Sequence, residues 1–419
     1  MTAIHRTDAS ARRPSAGLDG SAYDIVQRML PCLDTHLMHS SRFSSSDDSI
    51  VTASQELSWD GSSGRADSSD GTLFDVSEND EFDRAYQQYS QTAHMGVLDP
   101  EYQTFTSRNG YGAVVYTVRD GTLVVSGDPL AAPEHFGPLL DELARFRKKK
   151  HLKIAFMGVS ETFAMYAQKR RWIPLKVGRE RVLNPITNKI LSNQGAGKRM
   201  LGQNRRLLDP ERGAISIGVY APGIHGVDQA MEVELQIIYD QWRAERNCKK
   251  EKDLQTFVTV YDLFCRRNVT FFLYTSDRDG RVNGFAALRN VGARSGFHLD
   301  PCIASPTAPR GITDLLIVTA MRLLREAGVS YMCLGHEPLL DLGDMPNQDG
   351  IKARVARDMF HRVVDSAQLG GKRTYNDKFH PDESQSSELY VVLPGGPSLL
   401  RQAAAVMHVA NIRIRRLLR

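Results

Sequence analysis

The 419-residue chain predicts an α/β fold of two similar lobes joined by a basic helix, behind a disordered N-terminal tail. Three observations carry that reading. Short apolar runs with strand character are followed by apolar residues at helical spacing; this order occurs twice; and the stretch between the two occurrences holds the excess positive charge. An apolar content of 41% is enough for ordinary buried cores.

Residues 1–80 are rich in Ser, Asp, Gly and Thr, as in Ser44-Ser45-Ser46-Asp47-Asp48, and bury too little apolar surface to offset chain entropy. They read as a tail with one short helix near residues 23–37. Strands at 111–118 and 122–126 flank Arg119-Asp120-Gly121, a turn signal that makes a hairpin. Phe136, Leu139, Leu140, Leu143 and Phe146 then form a helical stripe that ends in Arg147-Lys148-Lys149-Lys150, cations suited to a helix C-terminus. A strand at 154–157 follows. The same order returns with strands at 270–275, 282–288 and 296–299, a helix at 313–327 and a strand at 331–334.

Two anchors tie the copies together. Gly127-Asp128-Pro129 matches Leu299-Asp300-Pro301 at the end of a strand, and Phe156-Met157-Gly158 matches Cys333-Leu334-Gly335 after the helix. The expected division is a first lobe over 95–190, a basic linker with helices over 191–250, a second lobe over 251–395 and a basic amphipathic helix over 399–419. In the linker, Met231, Leu235, Ile238 and Trp242 give one apolar helix face. The last segment either lies on an anionic membrane surface or packs as an ordinary terminal helix.

The net charge of +4 is unevenly spread. Residues 1–107 hold 17 acidic against 7 basic side chains, whereas 145–212 hold 18 Lys and Arg against 4 acids. Such a stretch attracts RNA or anionic membrane; a solvated surface without a partner is the plain alternative. There is no run of eighteen apolar residues and no secretory layout at the start, so a cytoplasmic protein is expected, with peripheral membrane contact open. Cys32, Cys248, Cys265, Cys302 and Cys333 form no CxxC pair and read as free thiols, and no metal site is expected.

Gly195-Ala196-Gly197-Lys198 is no Walker loop, because Arg199 stands where Ser or Thr would bind magnesium. It also lacks the small residue that completes the usual acetyl-coenzyme A loop, which favours another acyl donor. On a helix, Lys198, Arg199, Arg205 and Arg206 share a face and can follow a phosphate backbone. Lys169-Arg170-Arg171, Arg179 and Arg181 add to the count. Asp314 follows Pro309-Arg310-Gly311 and suits the first turn of a helix, where an acid gains from unpaired amides. Lys378 stands in Tyr375-Asn376-Asp377-Lys378-Phe379-His380-Pro381, where its neighbours fix it for contact with an anion or oxyanion. A surface turn is the alternative there.

Ser126-Gly127-Asp128-Pro129, the segment from Gly197 to Arg206, Trp242, Asp300, Ala308-Pro309-Arg310-Gly311-Ile312-Thr313-Asp314, Leu334-Gly335 with Pro338-Leu339, and residues 375–381 resemble, in this order, the C-terminal catalytic domain of the bacterial aminoacyl-phosphatidylglycerol synthases. The resemblance covers about residues 95–395 and implies tandem acetyltransferase-like (GNAT) lobes around a tunnel where a lipid hydroxyl meets charged tRNA. The chain lacks the bacterial multi-helix membrane part and has His336-Glu337 where a small or apolar pair is more usual. It is more similar to the free-standing and synthetase-fused fungal members, which esterify the 3β-hydroxyl of ergosterol with glycine or aspartate, and the free-standing form points to glycine. The resemblance thus implies a tRNA-dependent aminoacyltransferase with glycyl-tRNA as donor, a sterol or phospholipid acceptor, and no cofactor. It assigns catalysis to Asp314 and Lys378, substrate binding to Asp300, Arg310, Glu337 and Tyr375, and tRNA binding to Lys148, Lys149, Lys150, Lys198, Arg199, Arg205 and Arg206. A coenzyme A-dependent N-acyltransferase and a non-catalytic RNA- or membrane-binding module are the rival readings.

Overall fold

The computed structural model describes residues 75–192, 195–248, 261–339 and 370–411. The expected helix near 23–37 and most of the expected tail lie outside them. Helix α1 (Asp75–Tyr89) already begins inside the stretch read as tail.

A 3₁₀ segment (Thr92–Leu98) follows α1 and leads into strands β1 (Gln103–Thr106), β2 (Ala113–Arg119) and β3 (Thr122–Ser126). The buried side of α2 (Phe136–Lys149) is the predicted stripe of Phe136, Leu139, Leu140 and Leu143, and this helix carries the chain to β4 (Lys153–Val159), parallel to β3. Helix α3 (Glu161–Lys169) and the long strand β5 (Ile173–Leu183) complete the first half.

The segment expected as a helical linker contains α4 (Lys198–Leu208), the edge strand β6 (Ser216–Tyr220) and α5 (Gln229–Cys248). It is therefore part of the sheet as well as a connection, since β6 pairs with β7 (Thr270–Ser276). Strands β8 (Val282–Val291) and β9 (Gly296–Ala304) follow, then α6 (Ile312–Glu326) and β10 (Met332–Pro338), parallel to β9. Past residue 369 come α7 (Gly370–Asp377), β11 (Glu388–Leu393) and α8 (Leu399–Val409). Helix α8 packs Ala405 and Val406 against Val124, Ala155, Val391 and Leu393, so its described part is an ordinary packed terminal helix.

All strands join one sheet in the order β1-β2-β3-β4-β11-β5-β10-β9-β8-β7-β6. The run β1 to β4 with α2 repeats as β7 to β10 with α6, with the same antiparallel and parallel pairings. This is a mixed α/β fold of two acetyltransferase-like lobes. The halves exchange strands at the seam: β11 lies between β4 and β5, while β5 of the first half pairs with β10 of the second. A single cut between lobes does not separate them.

The second sequence anchor lands on equivalent irregularities. Gly158 is skipped in the β4–β11 register, Gly335 in the β10–β5 register, and both have positive φ, 74° and 92°, which glycine adopts without a Cβ penalty. The first anchor is less symmetric. Asp128 follows the end of β3, whereas Asp300 lies inside β9, which runs on to Ala304 rather than ending there.

In the first half, the 3₁₀ segment fills the space beside these glycines, with Ala93 against Gly127 and Gly158 and His94 against Gly127. His94 is fully buried; its Nδ1 accepts the Gln91 amide at 2.8 Å and its Nε2 lies 2.8 Å from the Asp128 carbonyl oxygen. Burial lowers its pKa to about 4. The unfolded chain, with an ordinary histidine near 6.5, then binds the proton more readily. The stability His94 confers as a neutral ring is complete above about pH 6.5 and is lost as pH falls toward 4, up to about 3 kcal/mol. The buried Asp128 carboxyl, raised chiefly by burial, works in the opposite sense, losing stability as pH rises. Comparing denaturation midpoints at pH 7 and pH 4.5 between wild type and His94→Gln isolates the histidine. The drop on acidification is expected to shrink in the variant, and an equal drop in both would exclude His94 as its cause.

Candidate active site

Beyond the pairs Met332↔Phe297 and Cys333↔His298, the parallel strands β9 and β10 part: β10 pairs with β5 and β9 continues beside β8. Strand β5 meets β10 only from Gly178 onward, and its first residues, Ile173 to Val177, are partly exposed. A wedge thus opens between the last residues of β9 and those of β10. At its margin, Cys302 of β9 approaches the Thr313 carbonyl of α6, with its Sγ 3.6 Å from the oxygen.

Gly311 caps α6 with φ of 101°, and a Cβ there would meet the Gln203 side chain at 2.5 Å. The Gln203 amide donates to the Arg310 carbonyl at 2.6 Å, so α4 braces the start of α6. Asp314 stands in the first turn of α6, as expected. Its Oδ1 accepts from Lys378 Nζ at 2.5 Å, and the Tyr375 hydroxyl lies 3.1 Å from that same oxygen and 3.1 Å from Thr313 Oγ1. Lys378 Nζ also sits 3.8 Å from the Tyr375 ring centroid and 4.9 Å from that of Phe379, within cation–π range. Phe379 is fully buried in the α6 core, and its carbonyl accepts from Asn188 at 2.8 Å. The motif 375–381 is therefore anchored, not a loose surface turn.

The electrostatics of this group limit its chemistry. Burial, with the Asp314 and Asp300 charges, pushes the Cys302 thiol far up, so it stays protonated and is no nucleophile. Burial, with the Asp314 carboxylate beside it, also pushes the Tyr375 phenol up, leaving it a hydrogen-bond donor at neutral pH. What remains is one ammonium held between a carboxylate and two aromatic faces, half open to solvent. Such a group can stabilise an oxyanion or a phosphate.

The structure brings Asp314, Lys378 and Tyr375 together, with Asp300 close enough to act on Cys302. Arg310 is exposed at the start of α6. Glu337 is buried, with its carboxylate among Arg179, Arg181 and Arg373 at 3.2, 3.1 and 3.7 Å. Arg179 and Arg181, counted above among RNA-attracting charges, are thus tied up in ion pairs, and Arg181 is only 2% exposed. Alternation along β5 places both on one face, a signal present in the sequence. Thr313, Cys302 and Phe379 were not picked out from the sequence as site residues.

The proposed tRNA contacts are all exposed: Lys148, Lys149 and Lys150 at the end of α2, and Lys198, Arg199, Arg205 and Arg206 on α4. Strands β4 and β5 run one way and β9 and β10 the other, so the ends of α2 and α3 lie at the same sheet edge as the start of α6. Helix α3 contributes Lys169, Arg170 and Arg171 there. Arg322 of α6, its pKa lowered by burial with Arg325 and Arg205 nearby, extends the positive field between α4 and α6. The first-half counterpart of Asp300 is closed: Asp128 accepts from Ser160 N at 2.8 Å, Ser160 Oγ at 2.6 Å and Gln91 at 3.0 Å. Among the described residues, no group of three or more His, Cys, Asp or Glu could hold a metal, and no helix is long and apolar enough to cross a membrane.

Known proteins resemble this chain in sequence and in fold. A phosphatidylglycerol lysyltransferase of Bacillus subtilis is 24% identical over 291 residues, 69% of this chain and 32% of the relative. An MprF-like domain protein of Mycobacterium tuberculosis is 25% identical over 282 residues, 65% of this chain and 55% of the relative. The chain spans only about a third of the Bacillus subtilis protein. Among solved structures, L-PGS from Bacillus licheniformis superposes with a TM-score of 0.61 at 18% identity, covering 81% of this chain and 97% of that one, a likeness of fold. The family model for the C-terminal region of phosphatidylglycerol lysyltransferase matches residues 83–391, well over half of the sequence, and the chain belongs to that family.

Proposed function

We propose that this chain transfers an aminoacyl group from aminoacyl-tRNA to the hydroxyl of a lipid. The observation that carries the reading is the Lys378–Asp314–Tyr375 group at the wedge, on the sheet edge that also bears exposed basic helix ends, in a chain of this family. The reaction exchanges one ester for another. The acceptor hydroxyl attacks the aminoacyl carbonyl carbon and loses its proton, the tetrahedral oxyanion forms, and the tRNA ribose oxygen leaves as it gains a proton. Little driving force is needed, so catalysis rests on positioning and charge stabilisation. Lys378 faces the oxyanion; Asp314 orients that ammonium; the substrate's own amino group takes the hydroxyl proton.

The names of the curated relatives favour phosphatidylglycerol as acceptor and lysine as the amino acid. A second reading, the 3β-hydroxyl of a sterol with glycyl-tRNA as donor, rests on the resemblance to the fungal members alone. One assay separates them. The protein is incubated with a labelled, charged tRNA pool and vesicles containing phosphatidylglycerol or a sterol, and extracted lipids are resolved with and without RNase. An aminoacylated lipid that disappears with RNase is expected, and its identity names the acceptor. Product formed from acyl-coenzyme A and indifferent to RNase would replace this reading with an N-acyltransferase.

A further inference from the structure

We propose that Arg181, which belongs to the first half, fixes the position of Lys378 in the second half by holding Asp377. This rests on reading Lys378 as the cation that faces the oxyanion. Arg181 lies in β5 with 2% of its side chain exposed, and its guanidinium pairs with Asp377, with Glu383 at 2.7 Å and with Glu337 at 3.1 Å. Arg179, on the same face, pairs with Glu337 at 3.2 Å and Glu383 at 3.1 Å, and Arg373 of α7 approaches Glu337 at 3.7 Å. Three cations and three anions therefore balance across four elements: β5, β10, α7 and the turn before β11.

A buried guanidinium has five donors in a rigid fork and can serve three carboxylates at once. Asp377 immediately precedes Lys378, and Phe379 on its other side is locked into the core. Lys378 is thus held from behind by an ion pair and a buried ring, and only its end is free to meet Asp314 and a substrate. The strand exchange at the seam brings Arg181 to this place, so the first half completes a site whose other residues come from the second. Arg181 and Asp377 are positioning residues; neither faces the reacting atoms.

Arg181 is so deeply buried that its own replacement could prevent folding, so the test uses Asp377→Asn, whose side chain is 49% exposed. Glu232→Gln, which breaks the Arg267 ion pair elsewhere, serves as control for general loosening. Asp377→Asn is expected to lower kcat by about 10- to 100-fold with KM for charged tRNA within about twofold, since an ångström of misplacement costs this much. Independently of turnover, labelling of Lys378 by an amine-directed reagent, read by mass spectrometry, should quicken several-fold in Asp377→Asn and not in Glu232→Gln. Unchanged Lys378 labelling, or equal changes in both variants, would overturn the proposal. If wild type makes no aminoacyl-lipid yet Asp377→Asn still unmasks Lys378, the functional reading fails while the positioning holds.

Discussion

Lys378→Ala is expected to lower kcat for aminoacyl transfer by about 10²- to 10³-fold, the usual cost of removing one donor aimed at developing negative charge. Among the described residues, no other side chain takes its place. The Tyr375 phenol is engaged with Thr313 and Asp314, and the Cys302 thiol is kept protonated by burial. Lys378→Arg should rescue little, because a longer, planar guanidinium spreads its charge away from the point the ammonium takes, 2.5 Å from Asp314 Oδ1 and 3.8 and 4.9 Å from the Tyr375 and Phe379 ring centroids. Binding of charged tRNA should change by no more than about twofold to threefold, since one of many cations is lost. Single-turnover rates at saturating charged tRNA measure the chemical step directly. Transfer at the wild-type rate would remove Lys378 from the chemistry and leave it a structural partner of Asp314.

The parts of this architecture that depend on local sequence were legible. Helix α2 and helix α6 follow from apolar spacing and the hairpin β2–β3 from Arg119-Asp120-Gly121, whereas the strands expected at 154–157 and 331–334 run on through Gly158 and Gly335, as bulges the sequence reading did not foresee. Asp314 in a first helical turn and Lys378 in an aromatic motif were also readable, because each is set by its immediate neighbours. The seam was not. That β11 inserts between β4 and β5, and that β5 passes to β10, is decided by pairings between residues far apart in the sequence, such as Val392 with Phe156 and Met332 with Leu183. For the same reason the charges of 145–212 could be counted but not sorted. Arg179 and Arg181 are spent on Glu337, Glu383 and Asp377, and Lys176 on Glu388, whereas the lysines ending α2 stay exposed. Burial separates a charge that holds the fold from one that can meet a partner, and burial is a tertiary property.

Replacing Lys198, Arg199, Arg205 and Arg206 together by Ala should weaken tRNA binding by about 10²- to 10³-fold near physiological salt and reduce the slope of log K against log salt by about 3, at roughly 0.7 to 0.9 for each phosphate no longer neutralised. The helix should survive. Its packing face is Met200, Leu201, Asn204, Leu207 and Leu208, the four cations lie on the opposite side, and alanine is a better helix former than any residue it replaces. Replacing Lys148, Lys149 and Lys150 tests the other patch; because it is a separate helix end, its reduction in slope should add to that of α4 rather than repeat it. The two measurements divide the positive field into its parts. At saturating tRNA the α4 variant should still turn over, since none of its four changed residues touches the Asp314–Lys378 pair. A slope that stays at the wild-type value in both variants would mean that these cations face only water. The charged tRNA would then have to reach the wedge by another surface, and the exposed basic helix ends would no longer support a nucleic-acid donor.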